Sequence, residues 1–377
     1  MIDDSIALQR ASGSDAADIE TAIAHHRNGR LDEAEAIYRK LLDTAPDDPR
    51  ALHLLGVTET QRGRLDRGVE LIGRALSRLP AAPELHFDLG NALRLAGRQE
   101  EAAQSYGRAL ALKPEYVLAH IALGSVLGEL GRFEAAVSHS RTAVSIDPTS
   151  LPARLTLAAT LQAAGRLPDA AQAWREIIAL EPGRAESYFQ LAGQLTALGL
   201  MKEALYCQDR AIALQPENPL FHCARGQSLM RQFDGERAAA SFRAALALSA
   251  DLKEGWIGLS WSLRMLGKFD EADACIARLR DIDPTDLRAV RHLPSTGQLP
   301  PEPGAEIDRL SAVADRPDST TDDRISAGLR SAACSTMPAV SMRRSPDMPR
   351  PMPWCVISGR RMATASMPRR LPARSTL

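Results

Sequence analysis

The stretch PELHFDLGNALRLAGRQEEAAQSYGRALALKP, residues 83–114, decides the fold. It holds two apolar-periodic segments, each the length of a short helix. Leu85, Leu89, Ala92 and Leu93 share one face of the first segment, and Ala102, Tyr106, Ala109 and Leu110 share one face of the second. Gly97 between them permits the left-handed turn that ends a helix. Pro114 cannot continue a helix and pushes its predecessor out of helical geometry. The small residues Gly90 and Ala102 let the two helices approach closely. Such a pair cannot bury its apolar face alone, so it demands stacked neighbours.

Working outward, the neighbours are present. Prolines stand at Pro46, Pro80, Pro114, Pro148, Pro182 and Pro216, each 34 residues after the last; Ala250 fills the next slot and Pro284 resumes the series. Gly29, Gly63, Gly97, Gly131, Gly165, Gly199 and Gly267 repeat at the turn, with Phe233 replacing glycine in the seventh unit. A small residue follows five positions later: Ala34, Gly68, Ala102, Ala136, Ala170, Ala204, Ala238 and Ala272. The stride of 34 is unbroken over eight units, a period that specifies a solenoid.

These marks resemble the tetratricopeptide repeat. The third unit carries Leu89, Gly90, Gly97, Glu101, Ala102, Tyr106, Ala109 and Pro114; the eighth carries Trp256, Gly267, Glu271, Ala272 and Pro284. The resemblance implies an all-α, right-handed superhelix of about eight 34-residue helix-turn-helix repeats over residues 15–286, after an N-terminal segment 1–14. It also implies that the first helix of each repeat lines a concave surface where a peptide or helix lies. Carried onto this chain, the groove candidates are His53, Phe87, Asn91, Arg94, Ile121, Leu155, Phe189, Gln227, Met230, Trp261, Arg264 and Met265. The set is mixed, with an apolar bias toward its middle and end. It lacks the repeated Lys and Asn arrangement with which some family members clamp a terminal carboxylate, and Asn91 is alone at its position, so there is no asparagine ladder. The expected partner is an apolar or amphipathic protein segment.

Composition narrows the alternatives. Aromatics are 4% of the 377 residues, which suits closely packed short helices better than strands. The net charge of −1 gives no overall pull toward nucleic acid or membrane. No stretch has the length and apolarity of a spanning helix, and Met1 to Asp18, with Asp3 and Asp4, does not read as a signal peptide. Cys207, Cys223, Cys275, Cys334 and Cys355 are scattered without a CxxC pair. They read as reduced thiols of a cytoplasmic protein, the first three as small buried hydrophobes. There is no phosphate loop, GxGxxG, HExxH or GxSxG motif. His25 and His26 diverge by about 100° on a helix and are expected on a solvated face, not around a metal. Asp47 and Asp48 read as helix-start signals. The expected protein is therefore not an enzyme and holds no cofactor.

Beyond Asp286 the character changes. Residues 287–330 read as a proline-containing linker with one short helix over Ala305–Ala314. Residues 331–377 hold eight arginines, seven prolines and six methionines against one acid, Asp347, and read as a disordered basic tail. Such a stretch is also what a GC-rich gene gives in the wrong frame. Shifting the frame converts Met337-Pro338, Met348-Pro349 and Met352-Pro353 to alanine with no codon freedom. Over Cys334–Ser345 it permits Leu-Asp-Asp-Ala-Gly-Arg-Phe-Asp-Glu-Ala-Phe, which echoes the turn of the eighth repeat, Gly267 to Ala272. The layout is similar to that of bacterial proteins joining tetratricopeptide repeats to a sulfotransferase domain, which the chain as read does not contain.

Overall fold

A computed structural model describes residues 13–283, together with Asp308 and Ser311. The end of the eighth unit, the linker with its short helix and the basic tail otherwise lie outside the described residues.

The described residues form sixteen α-helices and no strand. Eight hairpins follow one another: α1 (Gly13–Arg27) with α2 (Leu31–Thr44), α3 (Pro49–Gln61) with α4 (Leu65–Arg78), α5 (Pro83–Leu95) with α6 (Gln99–Leu112), α7 (Val117–Glu129) with α8 (Phe133–Ile146), α9 (Leu151–Ala163) with α10 (Leu167–Leu180), α11 (Ala185–Ala197) with α12 (Met201–Leu214), α13 (Pro219–Arg231) with α14 (Gly235–Leu248), and α15 (Lys253–Met265) with α16 (Phe269–Ile282). Each helix packs on the next, so the chain is an α-solenoid with its core running along the stack.

The turn inside each hairpin is built as the spacing predicts. Gly97 has φ 75°, and the Arg98 amide reaches back to the Leu93 carbonyl at 2.9 Å, which satisfies a carbonyl the ending helix leaves open. In the seventh repeat Phe233 adopts φ 60° without glycine's freedom. At the helix starts, Asp48 accepts from the Arg50 and Ala51 amides at 3.0 and 2.9 Å, while Asp47 pairs with Arg74 and Arg78.

Small residues face large ones across each hairpin. A Cβ added to Gly90 would stand 2.5 Å from the Tyr106 ring, and one on Gly56 would stand 2.7 Å from Ile72. Phe242 wedges between two repeats: a Cβ at Gly226 would meet it at 2.8 Å and one at Gly258, in the next repeat, at 2.2 Å. Tyr38, Tyr106, Phe221 and Phe242 are wholly enclosed. Each such side chain contributes about 1.5–3 kcal/mol by leaving water. Cys207, Cys223 and Cys275 are buried, and burial pushes their thiols up to about 11, so they act as small apolar residues.

Successive repeats are tied by a recurring hydrogen bond. The fourth residue of an odd-numbered helix donates a side-chain N–H to the carbonyl six residues earlier, at the proline slot. His86 donates from Nε2 to Pro80 at 2.9 Å, His120 to Pro114 at 2.9 Å, Arg154 from Nε to Pro148 at 2.8 Å, His222 to Pro216 at 2.8 Å and Trp256 from Nε1 to Ala250 at 2.8 Å. A carbonyl only accepts, so each of these histidines carries its proton on Nε2. On the even-numbered helices a second ladder runs between repeats: Arg141 to Asp169 at 3.6 Å, Arg175 to Glu203 at 3.0 Å and Arg243 to Glu271 at 3.2 Å.

Candidate functional site: the inner face of the solenoid

Odd-numbered helices also come backbone-close to each other, α3 with α5, α7 with α9 and α13 with α15, whereas the even-numbered helices of the described residues stand farther apart and meet through the long side chains of the second ladder. The odd helices therefore form the inner, crowded side of the curve, and their outward residues line a groove.

The sequence candidates divide on this surface. Arg94, Gln227, Trp261 and Met265 stand exposed in it, and Asn91 is half-exposed. Met230 and Arg264 are half-buried, with Arg264 paired to Asp273 at 2.7 Å. Phe87, Ile121, Leu155 and Phe189 are also half-buried, and two of them bind across the repeat boundary. Phe87 packs its ring 5.7 Å from that of Tyr106 and 5.2 Å from that of Tyr116, and Phe189 lies 5.1 Å from the Phe221 ring. Leu155 packs against the same core cluster as Phe189. These positions serve the core and the groove together, because the fifth residue of an odd helix points at the following repeat.

His53 is a correction: it is buried and its Nε2 lies 2.7 Å from an Asp88 carboxylate oxygen. Asp88 also accepts from Asn91 Nδ2 at 3.4 Å, and Asn91 Oδ1 accepts from the Tyr106 hydroxyl at 2.9 Å. The network aims the Asn91 amide and fixes its orientation. His26 is a second correction. It is buried, not solvated: the Thr58 hydroxyl donates to the Leu54 carbonyl at 2.8 Å and so accepts from His26 Nδ1 at 3.1 Å.

Sequence reasoning missed three groove residues. Leu95, Leu118 and Leu220 are large, apolar and about half exposed. Leu95 stands four residues after Asn91, as Met265 stands four after Trp261, so helical spacing alone would have found it. Leu118 and Leu220 each occupy the second position of an odd helix. Between them the groove floor is mostly small, with Ser125, Gly128, Ala159, Ala163, Gly193 and Ala197, while Glu129, Gln162 and Thr196 stand at the same columns of the repeat. Among the described residues no group of three or more His, Cys, Asp or Glu side chains is placed to hold a metal ion. No helix of the described residues is long and apolar enough to cross a membrane.

The fold and its inner face define a helical-repeat protein. Tetratricopeptide-repeat family models match residues 15–58, 90–131, 127–195 and 223–286, so the hairpins within those spans are tetratricopeptide repeats. Among solved structures, a tetratricopeptide repeat protein from Parabacteroides merdae ATCC 43184 is 19% identical, with a TM-score of 0.48 over 67% of this chain and 100% of its own. MamA from Desulfovibrio magneticus RS-1 is 19% identical with a TM-score of 0.43, over 45% and 96%. YrrB, a repeat protein with an unusual peptide-binding site, is 16% identical with a TM-score of 0.42, over 50% and 97%. No curated protein matches the chain.

Proposed function

We infer that this repeat protein is a non-catalytic interaction module that holds an apolar or amphipathic segment of a partner protein along its inner face. The observation that carries this is the row of open apolar side chains, Leu95, Leu118, Leu220, Trp261 and Met265, on either side of a floor made mostly of Ser, Gly and Ala. Small floor residues let a partner backbone come close, and the flanking side chains offer desolvated contacts. The absence of a basic track along this face favours a protein over nucleic acid, and the buried reduced thiols favour a cytoplasmic setting. The test is affinity capture with the intact chain against a Leu220→Ala/Trp261→Ala variant of unchanged helicity. The reading expects specific proteins on the first bait and their loss from the second; identical capture by both refutes it.

A second reading treats the repeats as the substrate-recruiting part of a sulfotransferase whose catalytic domain was lost to a frame change. The repeat-like turn recovered in the shifted frame over residues 334–345 supports it. Nucleotide sequencing across codons 325–335 decides it: an intact frame eliminates this reading.

A further inference from the structure

The core columns of the repeat turn polar at the sixth joint, between the sixth and seventh repeats. The eighth residue of the even-numbered helices is large and apolar in body at Tyr38, Ile72, Tyr106, Trp174, Phe242 and Ile276; in α12 it is Gln208, 3% exposed. The seventh residue of the odd-numbered helices is leucine at Leu55, Leu89, Leu123, Leu157, Leu191 and Leu259; in α13 it is Arg225. Gln208 Nε2 donates to the Ser228 hydroxyl at 2.8 Å and to the Ala224 carbonyl at 3.2 Å, while its Oε1 is enclosed with no donor. Arg225 reaches back to Asp209 at 2.7 Å and on to the Ser241 hydroxyl at 2.9 Å. The outer ladder that ties the fifth joint through Arg175–Glu203 and the seventh through Arg243–Glu271 skips the sixth. The equivalent positions there hold Asp209 and Arg237, and Arg237 pairs with Asp234 of its own repeat at 3.4 Å. The apolar core changes clusters at the same place: Phe221 packs with repeats 5 and 6, and Cys223, two residues on, with repeats 7 and 8.

Such a joint can slip. An enclosed acceptor without a donor is costly, and water relieves that cost as soon as the joint opens. Asp209 is 54% exposed, so its pair with Arg225 trades places with water at little cost. The two preceding joints differ. At the fourth, Ser140 is bonded to Thr160 at 3.3 Å, and Leu157 and the Arg141–Asp169 pair are kept. At the fifth, the Trp174 ring fills its place although its Nε1 has no acceptor, and Leu191 is kept. Two contacts still hold the sixth joint together: the Phe189 and Phe221 rings, 5.1 Å apart, and the His222 tether to Pro216.

We propose that the sixth joint is the hinge of this solenoid, on which α13 to α16 swing as one piece against the helices before them. The Phe189–Phe221 ring pair and the His222–Pro216 tether are the pivot, and the Gln208–Ser228 and Asp209–Arg225 bonds open and close around it. The swing changes the distance from Leu95 and Leu118, in repeats 3 and 4, to Leu220, Trp261 and Met265, in repeats 7 and 8. The groove thus has a fixed jaw and a moving one. The hinge belongs to the free chain and stands whether or not a partner segment lies in the groove.

Pulsed electron spin resonance on the full chain tests it, with nitroxides attached through ketone-bearing residues so that the native thiols stay unlabelled. Labels at Gln172 and Ala240 span the fifth and sixth joints, and labels at Ser138 and Tyr206 span the fourth and fifth; all four sites are exposed and are the sixth residue of their helices. The Gln172–Ala240 distance distribution is expected to be about twice as broad as the Ser138–Tyr206 one. Gln208→Leu/Arg225→Leu, which returns apolar side chains to both columns, is expected to narrow the first distribution to the width of the second. Equal widths in the parent chain overturn the proposal, as does a Gln172–Ala240 distribution that stays broad in a double variant of unchanged helicity. If that variant does not fold, the two parent distributions decide alone.

Discussion

Phe233 holds φ 60° where seven other repeats place glycine, and its side chain is 85% exposed, so it gains nothing from packing. A left-handed non-glycine residue costs about 1–2 kcal/mol, and glycine returns part of that through the freedom of the unfolded chain. Phe233→Gly is therefore expected to stabilise the protein by about 0.5–1 kcal/mol, read as a higher urea midpoint at unchanged slope. Gly258 sits at the opposite extreme. A methyl there would stand 2.2 Å from the Phe242 ring, and Phe242 is enclosed on both sides. Gly258→Ala is expected to cost about 1–3 kcal/mol by overpacking, measured the same way. The glycine turns were legible from spacing alone. The Phe242 wedge was not, because Gly258 falls outside the recurring glycine columns and gains its meaning only from the repeat before it.

At the level of the helix pair, α7 and α8 meet through two imidazoles. His120 commits its Nε2 proton to the Pro114 carbonyl, so its Nδ1 is an acceptor, and His139 donates to it from Nδ1 across 3.0 Å. Ring centroids 5.2 Å apart fit a nearly straight bond between them. Burial, and then the neighbouring His120 ring, hold His139 below the ordinary histidine value of 6.5. The unfolded chain thus takes up a proton before the folded one does. The stability this group contributes is complete above pH 6.5 and is lost as the pH falls from there through the depressed folded value. His26, also lowered by burial, adds to the same slope. His139→Gln is expected to give a shallower fall in melting temperature between pH 7.5 and 5 than the parent chain, checked by parallel thermal scans. The sequence displayed each histidine but not the pairing, since the partners lie 19 residues apart on different helices and share no column of the repeat.

For the molecule as a whole, each repeat contacts little beyond its neighbours, so stability is close to a sum of unit and interface contributions. A lesion near one end is then expected to loosen that end first. Hydrogen exchange in Gly258→Ala is predicted to speed up in α15 and α16 while α5 to α10 keep the parent's protection; a uniform rise along the chain would contradict this nearest-neighbour behaviour. The solenoid and the turn inside each hairpin were legible in the sequence because one period repeats eight times and averages out local noise. The groove was legible only in part. Phe87 and Phe189 look like ligand contacts in a single repeat and become interface residues once Tyr116 and Phe221 of the next repeat are set beside them.

The side-chain tethers to the proline-slot carbonyls carry a consequence for how such a chain can change length. Each spans six residues from anchor to acceptor, in five of the loops that join one hairpin to the next. A single codon gained or lost inside that span would unhook the ring from its carbonyl and turn every later hairpin relative to those before it. Whole modules of 34 residues can be added or removed with every tether kept intact, which agrees with a stride that is unbroken across eight units.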